Sequence, residues 1–411
     1  VSIPAGEVIS VDLHEILMVK APDLVGCSLC YGSIALRYTS PVVHNLYAAA
    51  MVHFEGKPIA FHFDAVGSEP AMNEGMRESI WWLPTETSDS RLIIANASNK
   101  AAFIDTVLFD SAGKQYVKSA RLGPRETLRY SGRELTTEAG FAGIVGGVRV
   151  LVKKGSQSIF VTHVAFDTSS GFSALLKTFE DNPSDPIEPI TLRAPMMALN
   201  NPDPALRLPA GVKLEPKVFL RNTRESGLTL TGAIYWHNGS TRGVASLGDI
   251  QLTANEIRTI DFGELQNRGV IPKDAPWAYV RLHYTGRYGD LVAIAASYEP
   301  MTEYGLQTPF SDITASQWVG SKWYADALRN SLISVGNAFD KPTTVQFTIH
   351  YTGGKYEIER LLDPGEQLWI DMEKIIHDQV PDKNGSTIPA SVSSGSYSIR
   401  NKDNPPSPRA L

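Results

Sequence analysis

One short pattern, present four times, constrains this chain more than anything else in it. It reads Pro4-Ala-Gly-Glu7 with Asp12 five residues after the Glu, then Gly123-Pro-Arg-Glu126 with Ser131. It returns as Thr253-Ala-Asn-Glu256 with Asp261, and as Asp363-Pro-Gly-Glu366 with Asp371. Asp12, Ser131, Asp261 and Asp371 are helix N-cap residues, because a short side-chain oxygen can accept from the free amides of a first turn. Three residues on, Glu15, Glu134 and Glu264 complete a capping box, which Lys374 breaks in the last copy. An apolar residue follows each time: Ile16, Leu135, Leu265 and Ile375. The unit reads as a tight turn, a strand, and one or two capped helical turns.

The repeated Glu recurs at intervals of 119, 130 and 110 residues. Two further anchors keep the same order. One is a strand opening at Gly32, Gly147, Trp277 and Gly395; the other is an Asn closing an apolar strand at Asn96, Asn222 and Asn337. Trp82 precedes Asn96, and Trp323 precedes Asn337, by the same 14 residues, which aligns the two tryptophans. So long a period is that of a small domain, not of a solenoid unit. Within each unit the strands alternate apolar and polar, as in Val345-Gln-Phe-Thr-Ile-His-Tyr351. That period of two belongs to half-buried antiparallel sheets. Turn signals such as Asp110-Ser-Ala-Gly113 and Thr352-Gly-Gly354 separate them. The expected fold is all-β: a tandem array of immunoglobulin-like antiparallel β-sandwiches.

The expected domains are 1–78, the C-terminal part of a sandwich; 79–190 and 191–314, complete units; and 315–411, a unit lacking its closing hairpin and ending in a disordered tail. Pro-rich links such as Asn182-Pro-Ser-Asp-Pro-Ile-Glu-Pro189 read as stiff spacers. A half-sandwich cannot leave its core open. Upstream residues complete it, or it packs within the chain, on its neighbour or the fourth unit, or a second chain covers it. The first residue is Val1, which fits a removed signal or numbering that starts inside a longer protein.

An apolar strand ending in Asn, an alternating strand, a Gly turn, then Pro-Gly-Glu before another strand resembles bacterial immunoglobulin-like surface repeats of the CARDB and fibronectin-III-like kind. The resemblance covers units two to four and part of the first. It implies a secreted or cell-envelope location and a spacer, adhesive or binding role, and it carries over no functional residue.

Candidate chemistry is sparse. Cys27 and Cys30 form a CxxC without a second pair, so a local disulfide or two free thiols is the expectation ahead of metal or redox chemistry. His44, His53 and His62 are spaced by nine residues, and a metal would need them to converge with Asp64 or Glu55. Asp181, Asp185 and Glu188 read as a solvated linker ahead of a calcium site. Trp81, Trp82, Trp318 and Trp323 are the candidate ligand platform, set against a core role. The repeated glutamates, one per unit, do not form a catalytic pair. No nucleotide, hydrolase or zinc-protease motif is present.

The net charge of −6 argues against nucleic-acid binding, and no apolar run is long enough to span a membrane as a helix. The expected protein is non-enzymatic and needs no cofactor. It is a spacer, adhesion or protein-binding scaffold, with a carbohydrate-binding array or accessory domains of a larger secreted enzyme as alternatives. Its broken end units point to end-to-end self-association through strand donation.

Overall fold

The computed structural model describes residues 11–20, 34, 36, 39, 49–53, 60–64, 75–153, 159–201, 208, 211–238, 241–299, 305–312, 317–326, 330–337, 339 and 341–403. The chain divides into two compact units, Val1–Ala49 with Ile313–Leu411, and Ala50–Asp312. α1 (Leu13–Lys20) belongs to the former. The strands from β3 onward pair antiparallel, and no described helix is long and apolar enough to cross a membrane.

The larger unit begins with a hairpin, β1 (Ala49–His53) and β2 (Ala60–Asp64). A first group follows: β3 (Gly75–Trp82), β4 (Ser88–Asn96), β5 (Ala102–Phe109), β6 (Gln115–Leu122) and β7 (Thr127–Ser131). It continues through α2 (Gly132–Ala139), β8 (Val145–Val152), β9 (Ile159–Asp167), β10 (Ser173–Leu176) and β11 (Phe179–Asp181). Its sheets are β10-β9-β4-β7 and β11-β3-β8-β5-β6, closed on one core containing Trp81, Leu92, Ile94, Ile104 and Val148. The second group is β12 (Glu188–Ala198), β13 (Glu215–Asn222), β14 (Leu228–Asn238), β15 (Thr241–Leu252) and β16 (Ile257–Asp261). Then come α3 (Phe262–Asn267), β17 (Trp277–Gly286), β18 (Leu291–Tyr298) and β19 (Gly305–Pro309). Its sheets, β12-β17-β14-β15 and β16-β13-β18-β19, repeat the first group's strand order. Strands β3 and β12 run across the expected boundaries at 78/79 and 190/191.

In the smaller unit, β20 (Gln317–Tyr324), β21 (Leu332–Gly336), β22 (Thr343–Tyr351), β23 (Gly354–Leu362) and β24 (Gln367–Asp371) lead to α4 (Met372–His377) and β25 (Ser394–Asn401). The order is again β20-β25-β22-β23, with β21-β24 opposite. Among the described residues no counterpart of the β9–β10 or β18–β19 pair follows β25. On α1, Leu13 and Ile16 are 41% and 44% exposed, whereas Met372 and Ile375 at the same places on α4 are buried.

The immunoglobulin order keeps the first strand beside the second and the last beside the sixth. Here these are exchanged: the opening strands β3 and β12 pair with β8 and β17, and β9 and β18 pair with β4 and β13. Strand periodicity says which face of a strand is buried, not which sheet the strand joins, so the exchange is invisible in the sequence.

The repeated Glu and the strand-closing Asn turn out to be one device. The Asn96 amide donates to Lys100 O at 2.7 Å and Gly123 O at 2.8 Å. Asn222 does the same to Ser226 O and Thr253 O, both at 2.7 Å, and Asn337 to Lys341 O and Leu362 O, both at 2.9 Å. The backbone amide of each Asn bonds the carbonyl of Glu126, Glu256 or Glu366. Each Glu carboxylate folds back onto the amide three residues earlier, that of Gly123, Thr253 or Asp363. The turns between have φ of +61° at Arg125, +56° at Asn255 and +73° at Gly365. Positive φ at the third turn position after Pro124, Ala254 or Pro364 marks a type II turn.

The caps are also present. Ser131, Asp261 and Asp371 accept from the amides of Glu134, Glu264 and Lys374 at 3.2, 3.0 and 3.1 Å, and Asp12 accepts from His14 N at 2.8 Å. The expected return bonds from Glu134 and Glu264 to the cap amides are not formed. The Arg133 amide bonds Asp89 Oδ1, and the equivalent Glu373 amide, in the copy where no box was expected, bonds Asn330 Oδ1.

Replacing Asn222 by Ala removes the side-chain donor that holds the Ser226 and Thr253 carbonyls, and should lower stability by about 1–3 kcal/mol in urea titrations of the full chain. Arg224→Ala, whose side chain lies outside this set of bonds, should change it by under about 0.5 kcal/mol; equal effects would refute the latch.

Candidate functional site: the seam between two sandwiches

The two groups of the larger unit are not separate beads. Glu78 of β3 is fully buried, and its carboxylate holds two arginines: Arg149 Nε from its own sandwich on Oε1, and an Arg221 guanidinium nitrogen from the next on Oε2. Arg149 reaches across to Glu225 at 3.1 Å and to Thr223 O. Arg221 crosses the other way to Ser79 O at 3.0 Å and Val148 O at 3.1 Å. Both guanidinium groups lie over the Phe109 ring, at 5.2 and 4.7 Å from its centroid. Gly147 makes room: a Cβ there would sit 2.2 Å from Arg221 Nε. Burial pushes both arginines down. At Arg149, Glu78 and Glu225 together outweigh it and the net shift is upward, whereas fully buried Arg221 ends lowered.

Beside the charges lies an apolar nest. Trp82 is met edge-on by Phe172 at 5.2 Å and Tyr298 at 4.7 Å, and at a tilt by Phe219 at 5.4 Å. Ile80, Phe179, Val292 and Ile294 complete it. Strand β18 shows how one sequence serves two cores. Leu291, Ala293 and Ala295 face their own sandwich, while Val292, Ile294, Ala296 and Tyr298 face the seam, so all eight residues are buried. The signal was available, because Leu291-Val-Ala-Ile-Ala-Ala does not alternate, and continuous apolar strands are buried on both faces. Glu78, Arg149 and Arg221 carry no motif and are brought together only by the fold.

Under the seam, His163 is 2% exposed, its Nδ1 3.0 Å from Ser79 Oγ and its Nε2 2.5 Å from Ser90 Oγ. These are the residue types of a nucleophile and its base, but the imidazole is sealed in and burial holds it down at about 3 against the pull of Asp89. At neutral pH it is an uncharged hydrogen-bonding bridge between strands.

The sequence candidates fall as follows. Trp81, Trp82 and Trp323 are at most 2% exposed, and only Trp318, at 41%, presents surface, so the four do not form one exposed platform. The Trp81 indole donates to Phe109 O, and that of Trp323 to Ser396 O. Trp81 lies opposite Gly146 and Trp323 opposite Gly395, so Trp81, not Trp82, is the counterpart of Trp323. Trp81 stands 15 residues before Asn96 and Trp323 stands 14 before Asn337, so equal spacing picked out the neighbouring residue, Trp82.

The linker acids do not converge. Asp181 is buried on the seam, raised by burial although Arg287 lies 3.5 Å away, while Asp185 pairs with Asn182 and Glu188 is exposed. The linker is therefore docked at Asp181 and is not a free spacer there. Cys27, Cys30 and His44 lie outside the described residues, as do the side chains of His53 and His62. Among the described residues no group of three or more His, Cys, Asp or Glu is placed to hold a metal.

Compared with known proteins, the chain matches no family model, no curated protein and no solved structure.

Two outcomes follow. Glu78→Gln leaves fully buried Arg221 without a counter-charge and Arg149 with Glu225 alone, and should cost about 3–5 kcal/mol in urea unfolding, whereas Glu78→Leu/Arg149→Met/Arg221→Met should recover most of it. A triple variant less stable than Glu78→Gln would show that the charges themselves hold the seam. For His163, the unfolded chain takes up a proton near 6.5 and the folded one only at about 3. Its contribution is thus complete above 6.5 and is lost as pH falls toward 3. The melting-temperature gap between the protein and His163→Gln should be widest at pH 7 and shrink by pH 4; a constant gap would contradict the buried neutral imidazole.

Proposed function

We propose that this chain is a non-enzymatic scaffold of a bacterial surface or secreted protein, a tandem array of β-sandwiches that are immunoglobulin-like in layering and serve as a spacer, adhesive or protein-binding framework. The observation that carries this reading is the seam. Two sandwiches are locked by a buried carboxylate shared between arginines of both and by an aromatic nest, which fixes their relative orientation instead of leaving a cleft. A chain that commits an aromatic cluster and a fully buried carboxylate with its arginine to holding two domains together is built to set distance and direction. The resemblance to CARDB and fibronectin-III-like repeats supports the same role and the extracellular or envelope setting.

The competing reading, a carbohydrate-binding array, has only Trp318 left of its four candidate aromatics. Retention of the full chain on soluble glycans and insoluble cell-wall material, compared with Trp318→Ala, separates the two. The scaffold reading expects no glycan retention, or retention that Trp318→Ala leaves unchanged. Glycan retention lost in a Trp318→Ala protein that keeps its melting temperature would replace it with the carbohydrate reading.

A further inference from the structure

Among the described residues three buried carboxylates lie at or beside the seam, and they are not equally provided for. Glu78 holds Arg149 and Arg221. Asp290, in the short 3-10 turn Tyr288–Asp290, is closed by Arg287. Its Oδ1 accepts from Arg287 Nε at 3.1 Å and Nη2 at 3.0 Å, and its Oδ2 from the Arg287 amide at 2.8 Å. Asp181, the last residue of β11, has no such set. Its side chain is 2% exposed, and its Oδ1 takes no hydrogen bond among the described residues. Its ion pair is with the remaining nitrogen of the same Arg287, 3.5 Å away.

The backbone holds Asp181 there from two sides. It stands opposite Met76 where β11 pairs along β3. Across the seam Gly289 lies so close that a Cβ on it would fall 2.7 Å from Asp181 Cα and 2.9 Å from Asp181 Cβ. The charges around it come from every neighbouring element: Glu78 from β3, Arg149 from β8, Arg221 from β13, and Arg287 with Asp290 from the 3-10 turn. Arg77 of β3 is bonded instead to Glu180, and Tyr288, beside Phe179, is held protonated at about 12, chiefly by burial. Burial raises the proton affinity of Asp181 most. Arg287 and Arg149 oppose it, Glu78 and Asp290 add to it, and the net shift is upward.

We propose that Asp181 is a proton-operated catch on the seam. Neutral, it lets β11 and the linker leaving it dock against the Tyr288–Asp290 turn; ionised, it loosens that docking while the Glu78 pairs keep the two sandwiches together. A neutral carboxyl needs no counter-charge, and its formation removes a negative charge from beside Glu78 and Asp290 without disturbing their arginines. The unfolded side chain ionises near 3.8 and the folded one higher. The stabilising form is therefore complete below 3.8 and is lost as pH rises through the folded value. His163 acts in the opposite sense, so acid tightens the seam at Asp181 while weakening the sandwich at His163. The catch rests on the geometry of the seam and stands whichever way glycan retention falls.

Melting temperature and amide hydrogen exchange of the full chain from pH 4 to pH 7 test it, comparing wild type, Asp181→Asn and Asp185→Asn. Asn keeps the shape of the neutral acid, and Asp185→Asn removes a charge from the same linker outside the seam. Asp181→Asn should melt about 2–4 °C above wild type at pH 7, and the difference should vanish by pH 4. In wild type, the amides of β11 and of β3 beside it should exchange faster at pH 7 than at pH 4 once intrinsic rates are divided out. In Asp181→Asn they should not change, and Asp185→Asn should follow wild type. An Asp181→Asn protein that melts lower at pH 7, or a difference independent of pH, would overturn the proposal. So would wild-type exchange at β11 that ignores pH, a measurement that needs no variant to fold.

Discussion

Glu78 cannot be satisfied by its own sandwich. A carboxylate with no exposed surface needs compensating charge and hydrogen bonds, or it destabilises the fold by several kcal/mol. Arg149 supplies one partner from the same domain. The other, Arg221, is carried by the next domain and is itself fully buried only when the two are together. Each sandwich thus holds a charge whose compensation lies in its neighbour. The aromatic nest is the larger source of favourable free energy, since each fully buried aromatic contributes about 2–3 kcal/mol. The ion pairs add direction. A nest alone tolerates sliding, whereas two guanidinium groups on one carboxylate, flanked by Gly147 and stacked on Phe109, accept a single register. Gly289 against Asp181 narrows it further, because a Cβ there would lie 2.7 Å from the Asp181 Cα.

The recurrent framework was largely legible because it is built from local sequence. A Pro or Ala, a positive-φ residue and a Glu make a type II turn whose carboxylate closes on the turn's own first amide, all within four residues. The Asn is legible for the same reason: its amide completes the turn's carbonyls, so its identity is fixed by bonds that no apolar residue can make. The strand that each Asn ends and the capped turn after each Glu could both be placed from such anchors. Alternation added the rest, since in β22 every second residue from Thr343 to Ile349 is buried.

What the sequence hid depends on tertiary placement. The tryptophans read as core ahead of a binding surface, but size and aromaticity suit both, and only burial decides. Register failed by one residue at Trp82, because the stretch from the buried tryptophan to the strand-closing Asn is one residue longer from Trp81 to Asn96 than from Trp323 to Asn337. Asp181 stood among prolines and looked solvated, yet the strand that precedes those prolines, β11, pairs along β3 and carries it into the seam. Half of the capping box expected at Ser131 and at Asp261 was also absent; at Ser131 and Asp371 the second amide after the cap bonds Asp89 or Asn330, at or just before the second strand, so a neighbouring segment takes a share of the capping.

The exchange of opening and closing strands ties these observations together. With β18 beside β13 at the middle of a sheet, its outward residues cannot meet solvent unless they are polar, and they are Val292, Ile294, Ala296 and Tyr298. The face they make must be covered by something as flat and apolar as itself. The outer face of β3, with Ile80 and Trp82, meets that requirement, and β3 occupies it only because the opening strand has moved to the sheet of β8. Had β3 kept the immunoglobulin position beside β4, Trp82 and Glu78 would belong to a different sheet from Arg149, and the shared carboxylate could not form as it does. The strand exchange is therefore what lets two neighbouring sandwiches use the same strands for their own cores and for each other.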